Sequence, residues 1–128
     1  MTYNMADSIL SSIKQAMPNS GVPEGYTVFD NEIIMDINMV LATLKQLGVG
    51  PVDQTFQISG TGETWGDYLD DDELLALVPS YIAIKVRMLF DPVKSSIVKE
   101  QLDNFAKELE FRINDVCRRY HKRKEDIL

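Results

Sequence analysis

The sequence has one cysteine and one histidine among 128 residues, and each scarcity excludes a kind of chemistry. Cys117 alone cannot form a disulfide within the chain or a zinc site built on cysteines. His121, the single histidine, excludes Ser-His, Cys-His and multi-histidine metal arrangements. We therefore predict that the chain is not an enzyme and has no catalytic, cofactor-binding or metal-binding residue.

Long uncharged apolar runs are also missing. The most apolar stretch, residues 74–90, is interrupted by Pro79, Lys85 and Arg87. Residues 1–6 lack the basic region and the apolar core of an export signal. We predict no membrane span and no signal peptide, and the cysteine usage favours a reducing, cytosolic setting.

Basic residues are scarce over most of the chain. Residues 1–78 hold 12 acidic and 2 basic side chains, residues 79–117 hold 6 of each, and residues 118–128 hold 2 acidic and 5 basic ones. Because general binding to a phosphate backbone needs a basic surface, the acidic body argues against it. We divide the chain into one domain, residues 1–117, and a basic tail, residues 118–128.

Helical periodicity is what the sequence does contain, and it predicts an all-α fold, a small bundle of about four main helices. Helix one should begin at Asp7 or Ser8 and end at Pro18, and helix two should begin at Asp30, a capping residue, and end at Gly48. The core face of helix two carries Ile33, Ile34, Ile37, Val40, Leu41, Leu44 and Leu47.

The segment between helices two and three is irregular. Phe56 and Ile58 alternate with polar residues over few positions, which predicts an irregular loop or a short β-hairpin. Residues 59–64 are glycine-rich but lack the lysine of a phosphate-binding loop, so a flexible turn is the simpler interpretation. Thr64, with Asp67 three residues later, predicts a short capped helical piece over residues 65–69.

Helix three should start within the acidic residues 70–73, because carboxylates favour the positive end of a helix dipole. Pro79 should kink or restart this helix, and Asp91 with Pro92 should close it. Residues 81–90 are apolar on nearly every side, which predicts the central, most buried helix.

The acidic group, Asp67 with residues 70–73, has three interpretations. Calcium binding requires ligands at alternating positions around a glycine, which this run does not offer. Electrostatic stabilisation of a helix start on a solvated face is the commoner explanation. The acids could also line a passage in which attraction to DNA would be harmful.

Helix four should begin near Ser95 or Ser96 and should be the longest element. Beyond Tyr120 the apolar periodicity is lost, so we expect fraying or disorder until a partner binds. The predicted core stripe of helix four comprises Val98, Leu102, Phe105, Leu109, Ile113 and Val116.

Two helices carry apolar residues opposite their core faces. Met35, Met39 and Ala42 form a second stripe on helix two, and Phe111 projects from the far side of helix four. These four residues are candidates for a subunit interface, although incidental exposure or extra core is the commoner explanation of such residues.

The basic tail has three open interpretations: a solubilising segment, a docking segment for an acidic protein partner, and a nucleic-acid contact. Tyr120 lies among the bases and continues the stripe of helix four, which favours docking. The residues predicted to dock are Val116, Arg118, Arg119, Tyr120, Lys122, Arg123 and Lys124.

Three stretches carry a resemblance to a known family. They are residues 36–38 running on to 44–50, residues 64–69 (Thr-Trp-Gly-Asp-Tyr-Leu), and residues 81–92 (Tyr-Ile-Ala-Ile-Lys-Val-Arg-Met-Leu-Phe-Asp-Pro). In order and spacing, from about residue 7 to 116, the chain resembles the small head-to-tail connector proteins of long-tailed bacteriophages. The most distinctive motif positions are Tyr81, Lys85, Arg87, Leu89, Phe90, Asp91 and Pro92, for which a structural role is expected.

The resemblance implies a helical subunit that assembles as a ring, usually of twelve, beneath the portal protein of the capsid. Such a ring extends the channel for passing double-stranded DNA and meets a stopper or tail-joining protein, and the carboxy-terminal segment commonly engages the portal. The protein would be made in the bacterial cytoplasm and reside in the virion. The alternative is a small regulatory helical module whose basic tail contacts nucleic acid or an acidic protein.

Overall fold

The computed structural model describes residues 3–16, 27–90 and 95–127, with side chains in the last range as far as residue 119. Within these ranges the chain is helical, as predicted. The helices are α1 (Ile9–Gln15), α2 (Asp30–Gln46), α3 (Trp65–Tyr68), α4 (Asp72–Phe90) and α5 (Ser96–Ile127). No strand occurs among the described residues, and one isolated antiparallel bridge joins Ser8 to Thr64, so the hairpin is not found.

The ends of the helices follow local capping chemistry. The Ser8 side chain caps α1, and Thr64 and Asp67 form the predicted capping box of α3. Helix α2 begins one residue differently from the prediction, because Phe29 is its N-cap and Asp30 is its first helical residue. Pro18, Asp91 and Pro92, proposed as helix ends, lie outside the described residues.

Helix α4 is the centre of the fold, as its apolar sequence predicts. Helices α1, α2 and α5 all pack against it. It runs through Pro79 as one element, so the predicted restart is wrong. Proline lacks an amide donor for the preceding turn, but Pro79 is itself buried, and packing on several sides holds the helix together.

The core stripe of α5 is shorter than predicted. Leu109, Ile113 and Val116 are buried, and Ala106 and Cys117 join them. Phe105 is 50% exposed and Val98 is 38% exposed, so their assignment to the core was wrong. Sequence periodicity predicts which side of a helix a residue lies on. It does not predict how far along the helix the neighbouring element covers that side.

The backbone of α5 continues as helix to Ile127, which corrects the expectation of fraying beyond Tyr120. Residues 118–127 contain no glycine or proline and are mostly good helix formers. Basic side chains also favour the carboxy-terminal end of a helix, where the dipole is negative. Loss of apolar periodicity therefore did not mark the end of the helix.

Candidate interaction surfaces

The segment after α2 is held in place by two polar side chains of that helix. The Asn38 amide forms a two-point clamp on Ile58: its Oδ1 accepts from the Ile58 amide at 2.9 Å, and its Nδ2 donates to the Ile58 carbonyl at 3.1 Å. The Lys45 ammonium donates to the carbonyls of Pro51, Val52 and Gln54 at 2.5, 3.1 and 3.0 Å. These side chains provide hydrogen-bond partners for backbone groups of a segment that forms no helix or β-sheet hydrogen bonds to satisfy them.

Gly50 and Tyr68 form a close contact at the base of this segment. Gly50 has a φ of 94°, and a Cβ there would lie 2.7 Å from Cε1 of Tyr68. The Tyr68 ring stacks on Phe56 with centroids 4.9 Å apart. Burial raises the pKa of the Tyr68 hydroxyl, and burial also raises the pKa of the Cys117 thiol, which therefore stays protonated at neutral pH.

The stretch 64–69 ties the amino-terminal segment to the body. The indole Nε1 of Trp65, a fully buried residue, donates to Oγ of Ser12 at 3.1 Å. The amide of Gly66 donates to the carbonyl of Met5 at 2.7 Å. A Cβ on Gly66 would lie 3.1 Å from that carbonyl oxygen, so the close approach favours glycine.

The motif 81–90 connects α4 to α5 and to α2. Tyr81 is buried, and its hydroxyl donates to Oε1 of Glu110 at 2.5 Å. Burial, and then this hydrogen bond to a carboxylate, raise the pKa of Tyr81. The Lys85 ammonium lies 6.0 Å from the centre of the Tyr81 ring, and Phe90 makes an edge contact with Phe29 at 5.6 Å. Tyr81, Lys85 and Phe90 are thus engaged within the subunit, whereas Leu89 is 48% exposed.

The acidic group is engaged at helix starts. Asp67 completes the capping box of α3, accepting from the Thr64 amide at 3.0 Å. Asp71 Oδ1 accepts from the amides of Glu73 and Leu74 at 2.8 and 3.2 Å, at the first turn of α4. Among the described side chains, no group of three or more His, Cys, Asp or Glu residues is arranged to hold a metal ion.

Helices α4 and α5 are antiparallel, and their side-chain contacts define the register. Tyr81 meets Glu110, and Glu73 meets Arg119 at 3.2 Å. The first residue of α4 therefore lies opposite about residue 119. Residues 120–127 of α5, here called the overhang, extend about 12 Å past that point at a rise of 1.5 Å per residue.

The predicted docking residues fall into three groups. Val116 is buried in the core and is not presented to a partner. Arg118 is exposed, whereas Arg119 pairs with Glu73 and with Asp115 at 3.2 Å each. The side chains of Tyr120, Lys122, Arg123 and Lys124 lie outside the description, and their backbone belongs to the overhang.

The four interface candidates are all exposed. Met35 is 66% exposed, Met39 is 58% exposed and Ala42 is exposed on α2, while Phe111 is 71% exposed on α5. Helices α2 and α5 each pack chiefly on α4, so their outer faces lie on two separate helices of the subunit. Sequence reasoning missed the anchors Asn38 and Lys45, whose one signal was a polar residue beside the core stripe of α2.

None of the helices, as far as the structure describes them, combines the length and apolar character needed to cross a lipid bilayer. The family model described as "Phage connector protein" matches residues 9–119, a span that runs from the start of α1 to the end of the register between α4 and α5. No curated protein and no solved structure matches the chain. The overhang lies beyond the matched span.

Proposed function

Because this chain belongs to the phage connector protein family, we propose that it is a head-to-tail adaptor of a long-tailed phage. A connector is a structural protein of the virion and works in a head-tail assembly with other structural proteins. In our proposal the subunits form a non-enzymatic ring, of twelve copies in the virion, beneath the portal. The ring is made in the host cytoplasm, extends the DNA channel, and joins the capsid to the stopper or tail-joining protein.

The observation that carries the proposed ring is the pair of outward apolar surfaces. A closed ring requires two different, complementary surfaces on every subunit. Met35 and Met39 on α2 provide one, and Phe111 on α5 provides the other. Methionine and aromatic side chains are both enriched in the buried centres of protein interfaces.

The overhang supports docking to the portal. Five basic residues fall in the last 11 positions of the chain, and three of these five, Lys122, Arg123 and Lys124, belong to the overhang itself. A helix that continues past the first residues of the neighbouring helix can enter a groove of a partner. The basic charge fits an acidic groove.

The acidic body supports a passage for DNA. Residues 1–78 carry 12 acidic and 2 basic side chains, and a wall of this character makes few phosphate contacts that would retain a moving duplex.

Co-sedimentation with the portal ring from the same phage tests the docking assignment. The full chain should form portal-bound rings visible by electron microscopy, and a chain ending at Arg119 should not bind. This truncation keeps the pair between Arg119 and Glu73, so the fold should survive it. A full-length variant with Arg123→Glu and Lys124→Glu separates the effect of charge from that of length.

Portal binding and DNA binding together decide between the adaptor function and a regulatory, nucleic-acid-binding function. Unchanged portal binding by the shortened chain would refute docking through the overhang. If the full chain ignores the portal but binds duplex DNA with an affinity that falls steeply with salt, the basic helix serves a regulatory, nucleic-acid-binding module instead.

Charged substitutions on the outer faces test ring closure. Phe111→Asp or Met39→Asp should abolish closure on the portal and leave the melting temperature of the subunit nearly unchanged, because a charge is costly only when the face becomes buried. Gln57→Asp, at an exposed position of the segment after α2, is the matched control. Rings formed by both outer-face variants would show these faces to be ordinary surface.

A further inference from the structure

Two carboxylates border the exposed methionines of α2, the second of them partly buried, and neither has a cation beside it among the described side chains. Glu32 and Asp36 lie four residues apart, next to Met35 and Met39. Neither makes an ion pair with any side chain that the structure describes. The single basic residue of α2, Lys45, is occupied by three backbone carbonyls. Like charges at this spacing repel each other, and burial together with Glu32 raises the pKa of Asp36.

The outer face of α5 carries unpaired positive charge, opposite in sign to that beside the methionines of α2. Arg112 pairs with Glu108 at 2.8 Å, and Arg119 pairs with both Asp115 and Glu73. Lys107 and Arg118 are exposed and form no ion pair among the described side chains. They flank Phe111 at four residues before it and seven after it, within about 40° of its direction on the helix at 100° per residue.

Two apolar patches on one subunit are therefore bordered by opposite charges. We propose that they meet in neighbouring copies of the chain: Met35 and Met39 of one subunit pack against Phe111 of the next, with Glu32 and Asp36 facing Lys107 and Arg118. This inference rests on the proposed ring and names the surfaces that close it. The occupant of each patch is a second copy of this chain.

Three observations favour a second copy over another protein. Each subunit carries both patches, on separate helices, which is the arrangement that head-to-tail association requires. The unpaired charges have opposite signs on the two patches, so a copy is attracted and the reverse orientation, patch to like patch, is repelled. Methionine side chains adapt their shape to an aromatic ring and make favourable contacts between sulfur and the ring.

The test uses two charge-reversed variants, each assembled on the portal ring. Variant one carries Glu32→Lys and Asp36→Lys, and variant two carries Lys107→Glu and Arg118→Glu. Each alone places like charges at every joint and should raise the concentration needed for half-maximal ring closure by about tenfold or more. An equimolar mixture should close rings again, because alternating copies have matched charges at every joint when the subunit number is even. A variant with all four substitutions should also recover.

The control variant, Asp53→Lys with Thr55→Lys, changes net charge at exposed positions away from both patches and should close rings normally. Melting temperatures establish that every variant is folded. Normal closure by either reversed variant would overturn the inference, and so would failure of both the mixture and the fourfold variant to recover. If the wild-type chain forms no ring on the portal, the proposed function fails and this inference fails with it.

Discussion

The inner and outer faces of the same helices have different tasks. On α2, the inner residues Ile33, Ile37 and Leu44 are fully buried, whereas Met35 and Met39 on the opposite side are largely exposed. Helix α5 repeats the contrast with Ile113 inside and Phe111 outside. The inner faces stabilise the subunit, and the outer faces are available to other molecules, so substitutions on the two sides should affect different measurements.

The largest expected effect follows from substituting on either side of α5. Ile113→Ala should lower the free energy of unfolding by about 2–5 kcal/mol, because it removes a fully buried side chain and leaves a cavity. Phe111→Ala should change it by less than about 0.5 kcal/mol, since that ring is 71% exposed. Urea unfolding of the two variants measures both, and equal losses would contradict the division of tasks.

The next effect concerns the anchors that α2 provides on its flank, between the two faces. Asn38→Ala should lower the free energy of unfolding by about 1–3 kcal/mol, since it leaves the amide and carbonyl of Ile58 without their partners. Asn38→Asp is the informative companion, because it keeps the acceptor and removes the donor. Amide hydrogen exchange at Ile58 should quicken in Asn38→Ala, which removes the acceptor, and stay slow in Asn38→Asp, which keeps it. Slow exchange with unchanged stability in Asn38→Ala would show that the clamp is unimportant.

The inner faces were the part of the fold that could be predicted from sequence. The stripe of α2 repeats over more than four turns, and Thr64 with Asp67 is a local capping signal that needs no knowledge of the rest of the chain. The predicted restart at Pro79 was wrong because packing around α4 outweighs a local cost. Phe105 was wrongly assigned to the core because its angle on the helix does not show where the neighbouring helix stops covering it.

The candidate surfaces were predicted in part. Exposure of Met35, Met39, Ala42 and Phe111 follows from their position opposite the core stripes. The charge imbalance beside them could not be read from the sequence, since it depends on which acids and bases pair within the subunit. Arg119 shows the difficulty, because one of its two partners, Glu73, is 46 residues away in the chain.

The smallest expected effect is that of Asp36, whose carboxylate should lower the stability of the isolated subunit and favour closure of the ring. The pKa of Asp36 is raised by burial and by Glu32, so stability falls as the pH rises from the ordinary value of 3.8 to the folded pKa, and the full cost is present above it. Asp36→Asn removes that cost. The variant subunit should therefore unfold at a slightly higher urea concentration at pH 7.

Lowering the pH well below the ordinary value of 3.8 should make this difference disappear, because the wild-type carboxyl is then protonated in both the folded and the unfolded states. On the portal, the same substitution should raise the concentration needed for ring closure, since one carboxylate no longer faces the cations of the next subunit. A variant that is less stable as a subunit and closes rings normally would show that Asp36 serves the fold and not the joint. A variant that is more stable as a subunit and needs a higher concentration for ring closure would assign Asp36 to association. The wild-type carboxylate would then slightly lower the stability of the subunit.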